Sequence, residues 1–269
     1  MQNKPSISVI IPNYNRADYL RAAIQSALSQ TYQVFEILVC DDGSSDHSKQ
    51  VVAEFDSSMV KWIDCGKNGR PAIPRNKGIV AAKGELLAFL DNDDTWQNNK
   101  LEKQVEIINQ GYRLVCSNAL KQTNGTSAGP MHDSVGDTNL NFYHMLSTNQ
   151  VVCSSVLAAK EAVIKAGLFP EALELRALED YALWLRMSSF CKFKYISDCL
   201  VNYNDEVNTG IRKNSLTTAQ QMRIIRNDFT KWYKKQSFYD PHYVAIANEI
   251  LVLRYLSPFK KLLFRLFSA

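Results

Sequence analysis

Leu86-Leu87-Ala88-Phe89-Leu90-Asp91-Asn92-Asp93-Asp94 is an unbroken apolar run that turns at once into an acidic one. An apolar run so short reads as a strand buried on both faces, and the polar residues mark where the chain leaves the sheet. The form recurs towards the N-terminus. Ile7 to Ile11 is a short β-branched run ended by Pro12, with Asn13 and Tyr14 after it. Phe35 to Cys40 ends at Asp41-Asp42-Gly43, and Met59 to Ile63 is a third strand. Between these runs, Asp18 to Leu28 carries Tyr19, Ala23, Ile24, Ala27 and Leu28 at helical spacing. Ser45 has the position of an N-cap for a helix to Phe55, and Pro74 to Ala82 reads as a helix stopped near Gly84. Alternating strands and helices predict an α/β fold with a parallel sheet covered on both faces. Ligands of such sheets bind beyond the carboxyl ends of the strands. The polar clusters after Ile11, Cys40 and Leu90 are therefore expected to converge on one crevice.

Towards the C-terminus, Asn98 to Asn109 reads as a helix and Leu114 to Cys116 as a strand. Lys121 to Thr138 is rich in Gly, Ser, Thr and Asn and reads as a long loop. Ser154 to Ala159 is a strand, Glu179 to Ser189 a helix and Leu200 to Tyr203 a short strand. From Ser215 onward the chain is almost wholly helical, with breaks at Pro241 and Pro258. This divides the chain into an α/β domain, 1–212, with a ligand-binding half at 1–118 and a second half at 119–212, and a helical C-terminal region, 213–269.

At 269 residues and 46% hydrophobic, the chain can bury a substantial core without disulfide staples. A net charge of +4 is too weak to argue for a nucleic-acid partner. Cys40, Cys65, Cys116, Cys153, Cys191 and Cys199 form no CxxC pair and lie largely in apolar runs, which fits reduced thiols in a cytosolic chain. The polar N-terminus and the lack of an apolar run long enough to span a bilayer point the same way. His47, His132, His144 and His242 lack metal-ligand spacing. No Walker loop, Gly-x-Ser-x-Gly elbow or Gly-x-Gly-x-x-Gly fingerprint is present, which weakens NTPase, hydrolase and dehydrogenase readings.

Carboxylates crowded as in Asp91-Asn92-Asp93-Asp94 repel one another unless a cation intervenes, and their hard oxygens suit Mg²⁺ or Mn²⁺. A solvated turn is the competing reading. Asp41 has the position of an acceptor for a base or ribose donor group, though Gly43 and Ser45 also make a tight turn there. Tyr14 can stack on a planar base. Arg70, Arg75 and Lys77 can reach phosphates, or be surface cations. Glu179 and Asp180 open a helix, where they either stabilise its dipole or include a general base.

Taken together, these stretches resemble the family-2 glycosyltransferases of the A-type fold. The resemblance rests on Ser8 to Asn15, Ser26 to Thr31, Asp41 to Asp46, Pro74 to Ile79, Gly84-Glu85, Phe89 to Asp94 and Glu179 to Arg186, in the family's order. It covers roughly the first 210 residues. It implies a metal-dependent, inverting hexosyltransferase that uses a UDP-sugar as donor. By resemblance, Pro12, Tyr14 and Asp41 hold the nucleoside, with Asn92 also in the donor site. Arg70 or Arg75 helps with the donor, Asp93 binds Mn²⁺ or Mg²⁺, and Asp91 lies near ribose and metal. Asp180, beside Glu179, is the implied base. Trp96 either packs on a sugar face or is structural. Many members follow the late strand with Tyr-Arg-x-His. Here Tyr203-Asn204-Asp205-Glu206-Val207-Asn208-Thr209-Gly210 lacks that cation and imidazole.

The acceptor expected from this reading is a glycan or lipid-linked oligosaccharide in bacterial surface polysaccharide synthesis. The competing readings are a nucleotidyltransferase that makes a nucleotide sugar and a non-catalytic nucleotide-sugar-binding scaffold. Phe259, Leu262, Leu263, Leu266 and Phe267 alternate with Lys260, Lys261 and Arg265, a basic amphipathic pattern with Arg254 upstream. A peripheral contact with the cytoplasmic face of the membrane through 254–269 and docking on protein are its two readings. A homo-oligomer is compatible with either.

Overall fold

The computed structural model describes residues 4–123, 126–133, 136–205 and 216–253. The N-terminal half winds β1 (Ile7–Asn13), α1 (Ala17–Leu28), β2 (Glu36–Asp41), α2 (Ser48–Ala53), β3 (Val60–Asp64), α3 (Ala72–Ala81) and β4 (Leu86–Phe89). There follow the short β5 (Thr95–Trp96), α4 (Lys100–Ile108), β6 (Leu114–Thr123), β7 (Thr126–Pro130) and β8 (Thr138–Leu140). Then come α5 (Phe142–Ser147), β9 (Leu157–Ala159), α6 (Lys160–Lys165), α7 (Glu179–Ser188), β10 (Phe193–Asn204), α8 (Thr218–Tyr233) and α9 (Pro241–Leu253).

One sheet runs in the order β3-β2-β1-β4-β9-β6-β10-β5, with β7 on β6 and β8 on β10. The first four strands are parallel, and every residue of β1, β2 and β4 is buried, as the apolar runs require. Helix α1 turns Ala17, Leu20, Ala23, Ile24 and Ala27 inward. Helix α3 can lie against β1 and β2 because residue 78 is Gly: a Cβ there would stand 2.7 Å from Cys40 Sγ and 2.8 Å from Ile10 Cγ2.

Several boundaries differ from those read in the sequence. Pro12 does not end β1; it pairs in register with Cys40 of β2. On the other side β4 stays in register only as far as Ile10, so the missing proline N–H interrupts no ladder there. Ser45 does not cap α2, whose N-cap is His47. Asp46 Oδ1 instead accepts the Ser48 N–H and hydroxyl at 3.0 and 2.6 Å, and the Ser45 N–H donates to Asn15 Oδ1. The expected strand from Ser154 begins as a 3-10 turn, Cys153–Ser155, and only Leu157–Ala159 is extended. That strand, β9, runs antiparallel to both β4 and β6 and joins the parallel half to the mixed half. The long loop read at Lys121 to Thr138 contains a hairpin, β6 turning into the exposed β7, whose polar faces hide its strand character. Strand β10 starts at Phe193 and lies parallel to β6.

Helix α8 opens on a capping box made by Thr217 and Gln220. It is bound to α7 by Arg186, which donates to both Asp228 oxygens at 2.9 and 2.7 Å, and to α5 by Arg226, which donates to the Leu146 carbonyl. The Phe142, Phe229, Tyr233 and Tyr243 rings join α8 to α5 and α9. The basic amphipathic stretch 254–269, residues 206–210 of the departing segment and the boundary drawn at 212 lie outside the described residues. Among the described residues no helix is long and apolar enough to cross a membrane. All six cysteines are free, four of them buried.

Candidate active site

The polar clusters at the carboxyl ends of β1, β2 and β4 are joined by hydrogen bonds. Asn92 Nδ2 donates to Asn13 Oδ1 at 2.7 Å, and Asn13 Nδ2 donates to Asp41 Oδ1 at 2.9 Å. Asn13 is 2% exposed and is the pin between the three strand ends, a role its sequence position alone did not reveal. Asp41 also accepts the Gly43 and Ser44 N–H groups on Oδ2 and the Ser44 hydroxyl on Oδ1. Its acceptor capacity is thus spent largely on the turn, where Gly43 takes φ +81°. Asp42 holds the next loop, accepting the Asn68 N–H and amide at 2.8 and 2.9 Å and the Gly69 N–H at 2.7 Å. Pro12 is buried beneath this rim and Tyr14 is 45% exposed on it.

The basic residues of the β3–β4 connection separate in space. Arg70 is half-buried and donates to the Glu171 carbonyl. Lys77 is exposed, with Nζ on the Cys65 carbonyl. Arg75, in α3, is 5% exposed and lies between the two halves of the site. Its Nη2 donates to Asp91 Oδ1 at 2.5 Å and its Nη1 to Glu179 Oε1 at 3.3 Å. Behind it the Phe169 ring lies 5.4 Å from the guanidinium carbon and packs on Phe89 and Trp184. Burial opposes its charge, but the carboxylates of Asp91 and Glu179 more than offset this and hold it protonated. Arg75 Nε and Glu179 Oε2 are buried without a partner.

Helix α7 carries the second carboxylate pair. Its N-cap is Leu178, and the preceding Ala177 has a φ of +63°, uncommon for a residue with a Cβ, which turns the chain into the helix. Glu179 is 5% exposed and faces Arg75. Asp180 is half-buried, with Oδ1 accepting the Tyr181 N–H at 2.7 Å. Burial, then the neighbouring Glu179 charge, pushes its carboxyl up to about 6, against the pull of Arg75.

The acidic run itself divides. Asp94 is 1% exposed; its Oδ2 accepts the Ser154 hydroxyl at 2.5 Å and its Oδ1 the Asn204 N–H at 2.8 Å. Burial and then the charges of Asp93 and Asp91 raise its carboxyl well above the usual range. Asp91, Asn92 and Asp93 are half-buried at the rim. Trp96 is structural: it is 5% exposed, donates from Nε1 to the Ser154 carbonyl at 2.7 Å, and has the buried Lys100 Nζ 4.1 Å from its ring centroid. It therefore offers no face to a sugar. Among the described residues no group of three or more His, Cys, Asp or Glu forms a metal cage.

The sequence profile of Glycosyl transferase family 2 matches residues 8–160, which includes all three strand ends. An uncharacterised glycosyltransferase of Haemophilus influenzae is 30% identical over 229 residues, covering 84% of each chain. The Escherichia coli enzyme WfgD, a UDP-Glc:alpha-D-GlcNAc-diphosphoundecaprenol beta-1,3-glucosyltransferase, is 32% identical over 180 residues, 66% of this chain and 68% of WfgD. Among solved structures, Staphylococcus aureus TarS 1-349 in complex with UDP-GlcNAc matches with a TM-score of 0.73 at 19% identity, over 91% of this chain and 71% of TarS. That likeness covers more of the chain than the profile match does. The chain belongs to glycosyl transferase family 2 and has its A-type α/β fold.

Proposed function

We propose that the protein transfers a hexose or N-acetylhexosamine from a UDP-sugar to a hydroxyl of a lipid-linked glycan, with inversion, in the synthesis of a bacterial surface polysaccharide. The observation that carries the reaction is Asp180: a half-buried carboxylate with a raised pKa, close enough to Asp91 and Arg75 for their charges to act on it. The acceptor class is supported by WfgD, whose printed acceptor is a diphosphoundecaprenol-linked GlcNAc. The donor class is supported by WfgD's UDP-Glc and by the UDP-GlcNAc in TarS.

In this reading the nucleoside sits on the rim formed by Pro12, Tyr14 and the Asn13–Asp41–Asn92 network. Asp180 takes the proton from the acceptor hydroxyl. The acceptor oxygen forms a bond to the anomeric carbon as the bond from that carbon to the diphosphate oxygen breaks on the opposite face, and the electron pair leaves with UDP. A carboxylate near pKa 6 is basic enough for this and still ionised at pH 7. In this reading Glu179, buried against Arg75, serves by positioning that guanidinium, which holds Asp91 in place.

A diphosphate would be repelled by Asp91 and Asp93 unless a cation lay between them. The donor set fits Mg²⁺ or Mn²⁺, which bind through one or two carboxylates plus substrate phosphates and need no protein cage. Asp93, with Asp91, would hold the ion, and its charge would stabilise the departing diphosphate. The bound enzyme acts at the cytoplasmic face of the membrane, where a lipid-linked acceptor and a soluble UDP-sugar meet.

A panel of nucleotide sugars, each with and without Mn²⁺, tests the donor in a thermal-shift assay. One UDP-sugar is expected to raise the melting temperature in a metal-dependent way. Stabilisation by a nucleoside triphosphate together with a sugar phosphate, and none by any UDP-sugar, would favour the nucleotidyltransferase reading.

A further inference from the structure

Ser154 lies outside the acidic run yet touches both of its ends. It is 1% exposed, in the 3-10 turn that precedes β9. Its hydroxyl oxygen accepts the Asp91 N–H at 3.0 Å, and its proton goes to Asp94 Oδ2 at 2.5 Å. One hydroxyl thus uses its acceptor and donor capacity together and closes the loop from Asp91 to Asp94 into a ring. The turn is fixed in its own right. The Ser154 carbonyl accepts Trp96 Nε1, the neighbouring Ser155 hydroxyl oxygen accepts the Ser117 N–H at 3.2 Å, and Gln104 donates to the Ser155 carbonyl at 2.7 Å. Asp94, held on its other oxygen by Asn204, carries the end of β10 to the same loop.

We infer that Ser154 is a positioning residue for donor binding: through its single hydroxyl it fixes the backbone turn from which Asp91 and Asp93 present their carboxylates to the cation of the diphosphate. This rests on the UDP-sugar reading given above. The physical reason is local. Asp93 lies on the turn between the two anchored residues. Without the hydroxyl, the Asp91 N–H and Asp94 Oδ2 both lose a partner, and the turn that carries Asp93 loosens although Arg75 still holds the Asp91 carboxylate. Partners of this kind, behind metal- or phosphate-binding groups, change affinity by about 10–100-fold when removed.

The test is calorimetric titration of UDP, in the presence of Mn²⁺, into the full-length wild type, Ser154→Ala and Ser154→Thr. UDP avoids the unknown sugar and the acceptor altogether. At a temperature where both proteins are fully folded, Ser154→Ala should bind UDP about tenfold or more weakly, beside the lowered melting temperature that two buried polar groups without a partner impose, and Ser154→Thr, which keeps the hydroxyl, should recover most of the affinity. UDP affinity within twofold of the wild type in Ser154→Ala overturns the role. So does a lowered melting temperature with unchanged affinity per folded molecule, which would make Ser154 a purely structural residue. If the wild type itself does not bind UDP, the donor reading fails instead, and that arm separates the two outcomes.

Discussion

At the amino end of β2, Glu36 is 1% exposed and fully matched: Oε1 accepts the Ser8 hydroxyl and the Lys83 N–H at 2.8 and 2.7 Å, and Oε2 accepts the Lys61 ammonium at 2.8 Å. At the opposite end of the same parallel strands, Asp91 and Glu179 share the Arg75 guanidinium, with Nε and Oε2 left unpaired. Burial raises the Glu36 pKa, but Lys61 and the hydrogen bonds outweigh it and bring the carboxyl below its usual value. Burial and like charges win at Asp94 and Asp180, both of which are raised. One end of the sheet spends its carboxylate on stability. The other gathers more carboxylates than its one buried cation can match, an arrangement that opposes folding and that the proposed reaction would use for a cation and a reacting hydroxyl.

The largest expected effect lies on the uncompensated side. Asp180→Asn keeps the shape of the side chain and removes the base. Turnover should fall by about 10²–10⁴-fold. UDP binding should stay within about twofold, because the substitution leaves the donor rim intact. Turnover close to wild type would remove Asp180 from the mechanism.

Arg75→Ala strips both carboxylates of their partner. Breaking a buried pair costs about 3–5 kcal/mol, read by chemical denaturation. The comparison sharpens in the double variant Arg75→Ala/Glu179→Gln. Neutralising the stranded Glu179 should recover part of that loss, so the two substitutions should be less than additive. Strict additivity would mean that the 3.3 Å contact carries no coupling.

The two ends also differ in the sign of their pH response. Glu36 is lowered in the folded state, so its contribution to stability is present above the ordinary glutamate value of 4.5 and is lost as pH falls through the folded pKa. Asp180 is raised from 3.8 to about 6, so the unfolded chain releases its proton first and the contribution falls as pH rises across that window. If Asp180 is the base, as proposed, it must be ionised. Log kcat/KM should therefore rise with unit slope below about pH 6 and level off above it. An acid limb still centred near pH 6 in Asp180→Glu variants with retained activity would assign the limb to another group.

How much of this contrast is legible in the sequence depends on how far each contact reaches along the chain. The strands β1, β2 and β4 and the meeting of their carboxyl ends follow from local patterns, since short apolar runs ended by Asp or Asn state both burial and exit. Asn13 lay inside a recognised cluster, but its bond to Asn92 spans 79 residues and no spacing reveals it. Ser154 is harder still. Its stretch reads as strand, and only the sheet order, which places β9 beside β4, brings its hydroxyl to Asp91. The hairpin at β6–β7 escaped because its strands are half-exposed and polar, which leaves no alternation to detect. Glu179 and Asp180 are adjacent and chemically alike. Only the position of Arg75 separates them, because Glu179 is buried against it and Asp180 is not.

The smallest expected effect belongs to the satisfied end. Glu36→Gln keeps an acceptor for the Ser8 hydroxyl or the Lys83 N–H but loses the charge that Lys61 complements. Lys61 is 39% exposed and can return to water, so no stranded charge is left behind. The cost should be about 1–2 kcal/mol, that of weakened hydrogen bonds to a formerly charged group, and denaturation at neutral pH measures it. Below pH 4.5 the difference from wild type should shrink, because protonation of Glu36 removes the same charge. UDP affinity and turnover should not move, since the side chain sits at the amino edge of the sheet, away from Asp91 and Asp180. A loss of donor binding in Glu36→Gln would mean that the two ends are coupled through the strands, and that the division of stability and chemistry between them does not hold.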